Sequence, residues 1–506
     1  MISSPIPLSI AFRADASGTI GTGHVMRCLT LATEMRTQGA TVTFIAREEP
    51  GHLNDLLRAR GFSVIALPAG GVLDWAVDAG QTRHALEGRG APCDWLVVDH
   101  YALDEKWERA LRSWAKRILV VDDRADRPHD CDCLLDQNQV AGMRTRYDGK
   151  LPGSCITLLG PEYALLQPEY REWRPRVRAR RGPISRVLVY FGGTDPDDLT
   201  GRALSALLVA SRPGLEVDAV LPRSAPHLDA VRACAATHPG VRLHHDLPSL
   251  APLMAAADLA IGAGGATSWE RLCLGLPAMV ITIADNQRPI AEELDRLGLV
   301  QWLGDAAEVS LAVLTSAVGA RLREDLPEEC SRRGQSLVDG RGTLRVATVL
   351  GISARWPLCV RPVEAADEGL ILTWANDPLT RRNAFDSSPI SADVHADWFR
   401  RRLAETGSFY IVETEAGVPI GQVRFAPAEA AWEIHYAVAP AFRGRGIGRA
   451  VLATALDRFR KQVPRGARIF GQVKPANAPS RRIFESLGFE PGMDGEAKMV
   501  YRLTFS

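Results

Sequence analysis

The chain has 506 residues, with 60 Lys plus Arg against 60 Asp plus Glu and 46 % apolar residues. A single core rarely grows past roughly 250 to 300 residues, so this length implies about three domains. The neutral charge balance argues against nucleic acid or an acidic membrane as a partner.

From the N-terminus, short apolar runs alternate with helical periodicity. Residues 8–12, 41–45 and 63–67 read as strands, and residues 95–98 and 118–121 as strands buried on both faces. Helical stretches lie between them, such as residues 103–115. This rhythm predicts a doubly wound parallel sheet over residues 1–170. An Arg- and Pro-rich stretch, residues 171–183, reads as a connection. The rhythm then restarts with strands at 187–191, 217–221, 241–244, 259–262 and 278–283, a second Rossmann-like domain over 171–350. Two such halves enclose a cleft at the C-terminal ends of their strands. A third unit, 356–506, has a mixed α+β texture, with a strand near 432–438 and a helix from about 447 to 459. The nine cysteines are scattered, and the gap between Cys131 and Cys133 suits neither a zinc knuckle nor a redox pair, so reduced thiols and a cytoplasmic setting are expected. No signal-peptide pattern begins the chain, and no apolar run approaches the roughly 20 residues that span a bilayer.

Gly21-Thr22-Gly23-His24 lies between the first strand and a helical run. Glycines let the backbone approach a ligand closely, and the helix start that follows offers free N–H groups to an anion. A histidine there serves either as a simple cap or as a base. A helix N-terminus disfavours imidazolium, and a neutral imidazole can take a proton from water. Arg13 and Asp15 end the feeding strand, and Asp15 is a candidate to orient the ring, or else an Asx-turn residue. Asp99-His100-Tyr101 ends another strand and so belongs to the cleft rim. Asp122-Asp123 lacks diagnostic ligand spacing, and no metal is expected.

In the second half, Gly192-Gly193-Thr194-Asp195 follows a strand, and so does Gly262-Ala263-Gly264-Gly265-Ala266-Thr267-Ser268-Trp269-Glu270. Both are strand–glycine turn–helix elements suited to a diphosphate, with Thr267 adding a hydroxyl and Glu270 placed to accept from ribose hydroxyls.

Arg13-x-Asp15-x-Ser17-x-x-Ile20-Gly21-x-Gly23-His24-x-Met26-Arg27-Cys28 resembles the opening signature of the nucleotide-sugar hydrolases of pseudaminic acid biosynthesis, which act on UDP-2,4-diacetamido-2,4,6-trideoxy-β-L-altropyranose. Val98-Asp99-His100-Tyr101, Leu134-Leu135-Asp136-Gln137-Asn138, Phe191-Gly192-Gly193-Thr194-Asp195-Pro196 and Ala284-Asp285-Asn286-Gln287 resemble further blocks of that family in the same order, over residues 8–345. The resemblance implies a GT-B-like arrangement of the two Rossmann-like domains, with no metal. It implies His24 as the base that activates water at the anomeric carbon, with inversion and departure of UDP. It also implies that Gly264, Gly265 and Glu270 hold UDP, with Asn286 and Gln287 near the sugar or diphosphate. Arg13, Gly21, Gly23, Tyr101, Gly193, Thr194 and Thr267 complete the expected substrate contacts, with Asp15 and Asp99 beside the base. The competing reading is a GT-B glycosyltransferase in which His24 deprotonates an acceptor hydroxyl.

Arg443-Gly444-Arg445-Gly446-Ile447-Gly448-Arg449 opens a helix after a strand, so N–H groups from 445 to 448 can grip a pyrophosphate. This pattern, with Asn477-Ala478-Pro479-Ser480 and Phe484-x-x-Leu487-Gly488-Phe489, resembles the GNAT acetyltransferases over residues 356–503. The resemblance implies acetyl-CoA as co-substrate, contacted by Val438, Arg443, Arg445, Gly446, Ile447, Gly448, Arg449, Asn477 and Ser480. It implies a GNAT α+β domain after the GT-B-like pair. The family often has Tyr where this chain has Phe484, and that Tyr protonates the departing thiolate. Glu433 and His435 share one strand face, where either can take a proton from an amine. Tyr436 points to the opposite face and reads as core. Loss of the acid leaves a second reading, a non-catalytic acyl-CoA-binding module. Joining the two activities places consecutive steps on one chain: N-acetylation of the 4-amino UDP-sugar, then removal of UDP.

Overall fold

A computed structural model of the chain describes residues 8–505 apart from 71–72, 89–90, 194, 211–212, 224, 352–356, 405–407, 430 and 495–497. It divides into two compact units, residues 1–347 and 348–506.

The first unit holds two parallel sheets. Strands β1 (Ser9–Ala14), β2 (Thr41–Arg47), β3 (Ser63–Leu67), β4 (Trp95–Asp99), β5 (Ile118–Val121), β6 (Cys133–Asp136) and β7 (Ile156–Leu159) lie in the order β3-β2-β1-β4-β5-β6-β7. Strands β8 (Arg186–Tyr190), β9 (Glu216–Val220), β10 (Val241–His244), β11 (Leu259–Ala263), β12 (Ala278–Thr282) and β13 (Gln301–Asp305) repeat it as β10-β9-β8-β11-β12-β13. In each sheet the strand order reverses between the first strand and the fourth, β1/β4 and β8/β11. A crevice opens at such a switch point. Two-sided burial explains the composition: every residue of β4, β5, β6, β11 and β12 is buried. At Gly262 an added Cβ would lie 2.3 Å from the Tyr190 carbonyl oxygen, so only glycine lets β11 lie against β8 at that point.

The stretch 171–183 is not a loose connection. Arg180 is buried, and its guanidinium donates to the carbonyls of Ala257, Met254 and Leu274, stitching the chain to the second sheet. Thr343, in the helix Gly342–Gly351, donates to the Leu166 carbonyl at 2.8 Å.

The second unit is one mixed sheet. Strands β14 (Leu358–Pro362), β15 (Phe409–Thr414), β16 (Pro419–Ala428), β17 (Ala431–Val438), β18 (Arg468–Val473), β19 (Glu490–Asp494) and β20 (Lys498–Thr504) lie in the order β14-β15-β16-β17-β18-β20-β19. Only β17 and β18 pair in parallel, and only from Trp432↔Ile469 to Ile434↔Gly471. Beyond that point each strand stays bonded to its other neighbour, to Val438 in one and Val473 in the other. The sheet is therefore split into a wedge. The helix Gly448–Arg460 covers one face, with Phe459 stacked on Phe425 at 3.9 Å. Trp398 and Phe399 of the helix Ala392–Ala404 meet Phe409 on the other.

Candidate active sites

His24 is the second residue of the helix Gly23–Thr37, which starts directly after the loop following β1. Gly21 takes φ +76°, a conformation that glycine adopts at little cost. Asp99 ends β4, next to Ala14 of β1, so the switch point brings histidine and carboxylate together. Asp99 Oδ1 lies 2.6 Å from His24 Nδ1. Burial alone would raise the Asp99 pKa, but Arg27 and His24 outweigh it and hold the carboxyl well below the usual range. An ionised Asp99 only accepts, so Nδ1 carries the proton and Nε2 is left as the acceptor. Arg27, one turn along the same helix, binds Asp99 through Nε at 2.5 Å and Nη2 at 2.6 Å, and reaches Asp123 at 3.1 Å. Tyr101 packs edge-on to the imidazole at 4.6 Å.

The carboxylate on the ring is thus Asp99's, not Asp15's. Asp15 accepts two hydrogen bonds from Arg13, at 2.6 and 2.8 Å, and one from the Arg47 backbone. Arg13 is fully buried and also bonded to Asp78, which takes Arg47 and the Trp107 indole as well. Arg13 is therefore committed to an internal ion network rather than open to substrate. A cavity of about 600 Å³ borders this network, lined by Asp15, Arg47, Glu49, Gln81 and His100 among others. Burial, then Arg13, pushes the His100 pKa down to about 4.

The second sheet brings its glycine turns to the same place. An added Cβ on Gly193 would lie 3.8 Å from Thr22 Oγ1, and Asn286 Nδ2 donates to the Tyr101 hydroxyl at 3.0 Å. Gln287 packs beside Gly264 and Gly265 and accepts from the Ile283 N–H at 3.1 Å. Thr267 starts the helix Thr267–Cys273. Glu270, in that helix, is raised to about 7 by burial against a smaller opposing effect of the Tyr170 hydroxyl. Its Oε2 is buried with no hydrogen-bond partner among the described residues. Thr194 lies outside the described residues.

In the second unit a cavity of about 1420 Å³ follows the β17/β18 wedge. Val438, Arg443, Gly446, Ile447, Gly448, Arg449, Asn477 and Ser480 all line it. Gly444 and Gly446 both take φ +73°, which turns the chain into the helix Gly448–Arg460. The side chain of Arg443 is already engaged, by Asp377 at 2.5 Å, Thr380 at 2.7 Å and the Val438 carbonyl at 3.0 Å. The Arg445 guanidinium donates to the Val349 carbonyl. Backbone N–H groups rather than these two side chains are thus presented at the turn. His435 lines the cavity, and its Nε2 lies 3.4 Å from Glu433 Oε2. Burial, then Arg424 and Arg402, lowers the His435 pKa to about 4. Tyr436, expected in the core, also lines the cavity, because the face opposite His435 opens into the wedge past Ile434. Sequence reasoning missed Arg27 and Asp123, since a basic residue on an amphipathic helix reads as solvated until its partner strand is placed.

The first unit is therefore a pair of Rossmann-like sheets with a histidine–aspartate pair at one switch point and glycine turns from the other sheet beside it. The second is a split-sheet domain with a glycine-turn helix start beside the split. Residues 357–490 match the acetyltransferase (GNAT) domain model. The UDP-2,4-diacetamido-2,4,6-trideoxy-β-L-altropyranose hydrolase of Campylobacter jejuni is 26 % identical over 58 % of this chain and 97 % of its own length. The spore coat polysaccharide biosynthesis protein SpsG of Bacillus subtilis is 29 % identical over 68 % of this chain and 98 % of its own. An uncharacterized protein of Methanocaldococcus jannaschii is 20 % identical over 98 % of this chain and 100 % of its own, spanning both units. The chain is a homologue of that hydrolase and of SpsG, and it carries a C-terminal GNAT domain.

Proposed function

We propose that the chain is a bifunctional enzyme of pseudaminic acid biosynthesis. Its GNAT domain transfers the acetyl group of acetyl-CoA to the 4-amino group of UDP-4-amino-4,6-dideoxy-N-acetyl-β-L-altrosamine. Its first unit then hydrolyses UDP-2,4-diacetamido-2,4,6-trideoxy-β-L-altropyranose to the free sugar and UDP. The observation that carries the hydrolase reading is the His24–Asp99 pair, 2.6 Å apart, beside the glycine turns of the second sheet. Nε2 of His24 takes a proton from water as the oxygen attacks the anomeric carbon from the face opposite UDP. The anomeric C–O bond breaks, UDP leaves with the electron pair, and the sugar inverts. N–H groups at residues 264–267 meet the charge that develops on the diphosphate. The cavity lined by His100, Arg47 and Glu49 gives the sugar a polar seat.

The acceptor side of the GNAT cavity supports an anionic amine. It is lined by Arg382, Arg401 and Arg424, and among the described residues of the whole lining Asp386 is the sole carboxylate. A polyamine would meet like charge there, whereas a nucleotide-linked amino sugar brings two phosphates. His435, backed by Glu433, is the group in the cavity placed to take the amine proton.

An NMR time course with the 4-amino UDP-sugar and acetyl-CoA tests both halves. The native chain yields free diacetamido sugar and UDP, and His24→Ala stops at the acetylated UDP-sugar. UDP release that continues unchanged in His24→Ala removes the base assignment. Release that requires an added sugar acceptor makes the first unit a glycosyltransferase.

A further inference from the structure

Transfer of an acetyl group from a thioester to an amine leaves a thiolate, and the group that usually protonates it has no counterpart at Phe484. The ring of Phe484 is buried, stacked on Tyr501 at 5.3 Å, with its tip against Gly471. The Tyr501 hydroxyl is turned away to Glu485 at 2.9 Å. Among the described residues, the side-chain hydroxyls lining the cavity belong to Thr380, Tyr436 and Ser480. Thr380 Oγ1 accepts from Arg443, while the Thr380 N–H donates to Asp377 in its own turn, and so it serves the joint between the helix Pro378–Asn383 and the end of β17. Tyr436 and Ser480 remain. Tyr436 lies two residues past the last β17/β18 ladder pair, on the strand edge that lines the wedge. Its hydroxyl is 2.8 Å from Ser480 Oγ, and its ring meets Phe484 edge-on at 5.8 Å. Ser480 is held by the Asn477 cap, whose side chain accepts from the Ser480 N–H at 3.3 Å.

We propose that the Tyr436–Ser480 hydroxyl pair is the acid of the acetyltransferase half, replacing from the strand side what Phe484 cannot supply from the helix side. The amine lone pair forms the new C–N bond, the C–S bond breaks, and sulfur keeps its electron pair. Tyr436 gives its proton to that sulfur, which becomes the CoA thiol. Ser480 returns a proton to the phenolate and is itself resupplied from solvent, where the amine proton ends. Burial holds the Tyr436 phenol up at about 12, so it keeps its proton through the neutral range.

The assignment rests on acetyl transfer by this domain, so it is tested first without turnover. CoA is bound to the full chain as its free thiol, and its ionisation is followed by thiolate absorbance. A phenol that donates to sulfur favours the thiolate, so the bound thiol titrates about one unit higher in Tyr436→Phe than in the native chain. An equal thiol pKa in the two proteins overturns the assignment, whatever happens to the rate. In turnover, Tyr436→Phe lowers kcat by about 100-fold, with the Kd of acetyl-CoA unchanged. Should Tyr436→Phe fail to fold, 3,5-difluorotyrosine at 436 keeps the ring and makes the phenol more acidic. The bound thiol pKa then falls below the native value if the pair bonds to sulfur, and stays put if it does not. If no acceptor is acetylated, the thiol titration still decides the role of Tyr436, and only the acceptor reading fails.

Discussion

In the proposed function Arg27 acts on His24 through Asp99 rather than on the substrate. Two short bonds from its guanidinium fix Asp99, and Asp99 in turn fixes the imidazole tautomer. Arg27→Lys keeps one positive charge and loses the planar fork. The expected result is a fall in kcat for UDP release of about tenfold or more, with little change in KM, as for partners that orient a catalytic histidine. Stopped assays of UDP release measure it; a change confined to KM would instead place Arg27 in substrate binding. Glu270 gives a second test. Its folded pKa of about 7 stands above the ordinary value of 4.5, so it carries its proton through the mildly acidic range. If ribose hydroxyls are donated to its carboxylate, bound UDP favours the ionised form and lowers that pKa. UDP binding then releases protons between about pH 4.5 and 7, and affinity rises with pH over that window. Calorimetry in buffers of different ionisation enthalpy should show more proton release in the native chain than in Glu270→Gln. Equal release in both would leave Glu270 without a role in binding. At this scale the sequence placed His24 and the glycines at a helix start, because a strand–turn–helix pattern is local. It could not show that Asp99 rather than Asp15 meets the ring, since that choice depends on β4 lying beside β1 at the register Ala14↔Asp99.

The most legible strands are buried on both faces, which makes β4, β5, β11 and β12 continuous apolar runs. β7, Ile156–Leu159, is a four-residue edge strand that its own sequence barely marks, and β6 sits among cysteines and aspartates. Tyr436 was misread for a related reason. Alternation along a strand predicts two faces, and it cannot predict that β17 and β18 part after Ile434, which turns a core-facing side into a wall of the cavity. The part of the wedge that stays closed is a second place where one atom matters. A Cβ on Gly471 would lie 2.3 Å from Phe484 Cζ and 2.8 Å from Cε1, deep in a packed aromatic cluster. Gly471→Ala therefore forces the ring aside at a cost of about 1–3 kcal/mol. Thermal unfolding should show the loss, and Phe484→Leu, which shortens the obstacle, should recover part of it in the double variant. Additive losses in that double variant would mean that the two residues do not collide.

The whole chain contains two compact units, 1–347 and 348–506, and each has its own sheet system and its own cavity. The sequence reading puts a change of texture near residue 356, and the second unit, which begins at residue 348, replaces the βαβ rhythm with mostly antiparallel pairing. Units with separate cores need not unfold together. UDP binds the first unit in the proposed function and CoA the second, so each ligand stabilises only the unit that holds it. At 100 times its Kd, a ligand adds about 2.7 kcal/mol to the folded state it binds. Calorimetric scans should therefore resolve two transitions. UDP should raise one and CoA the other, and Gly471→Ala should lower only the transition that CoA raises. The enzyme activities should follow the same division, with UDP release surviving heating through the CoA-sensitive transition if that one is the lower. A single transition shifted by both ligands and by Gly471→Ala would mean that the two units fold as one cooperative body, and that damage in either active site reaches the other.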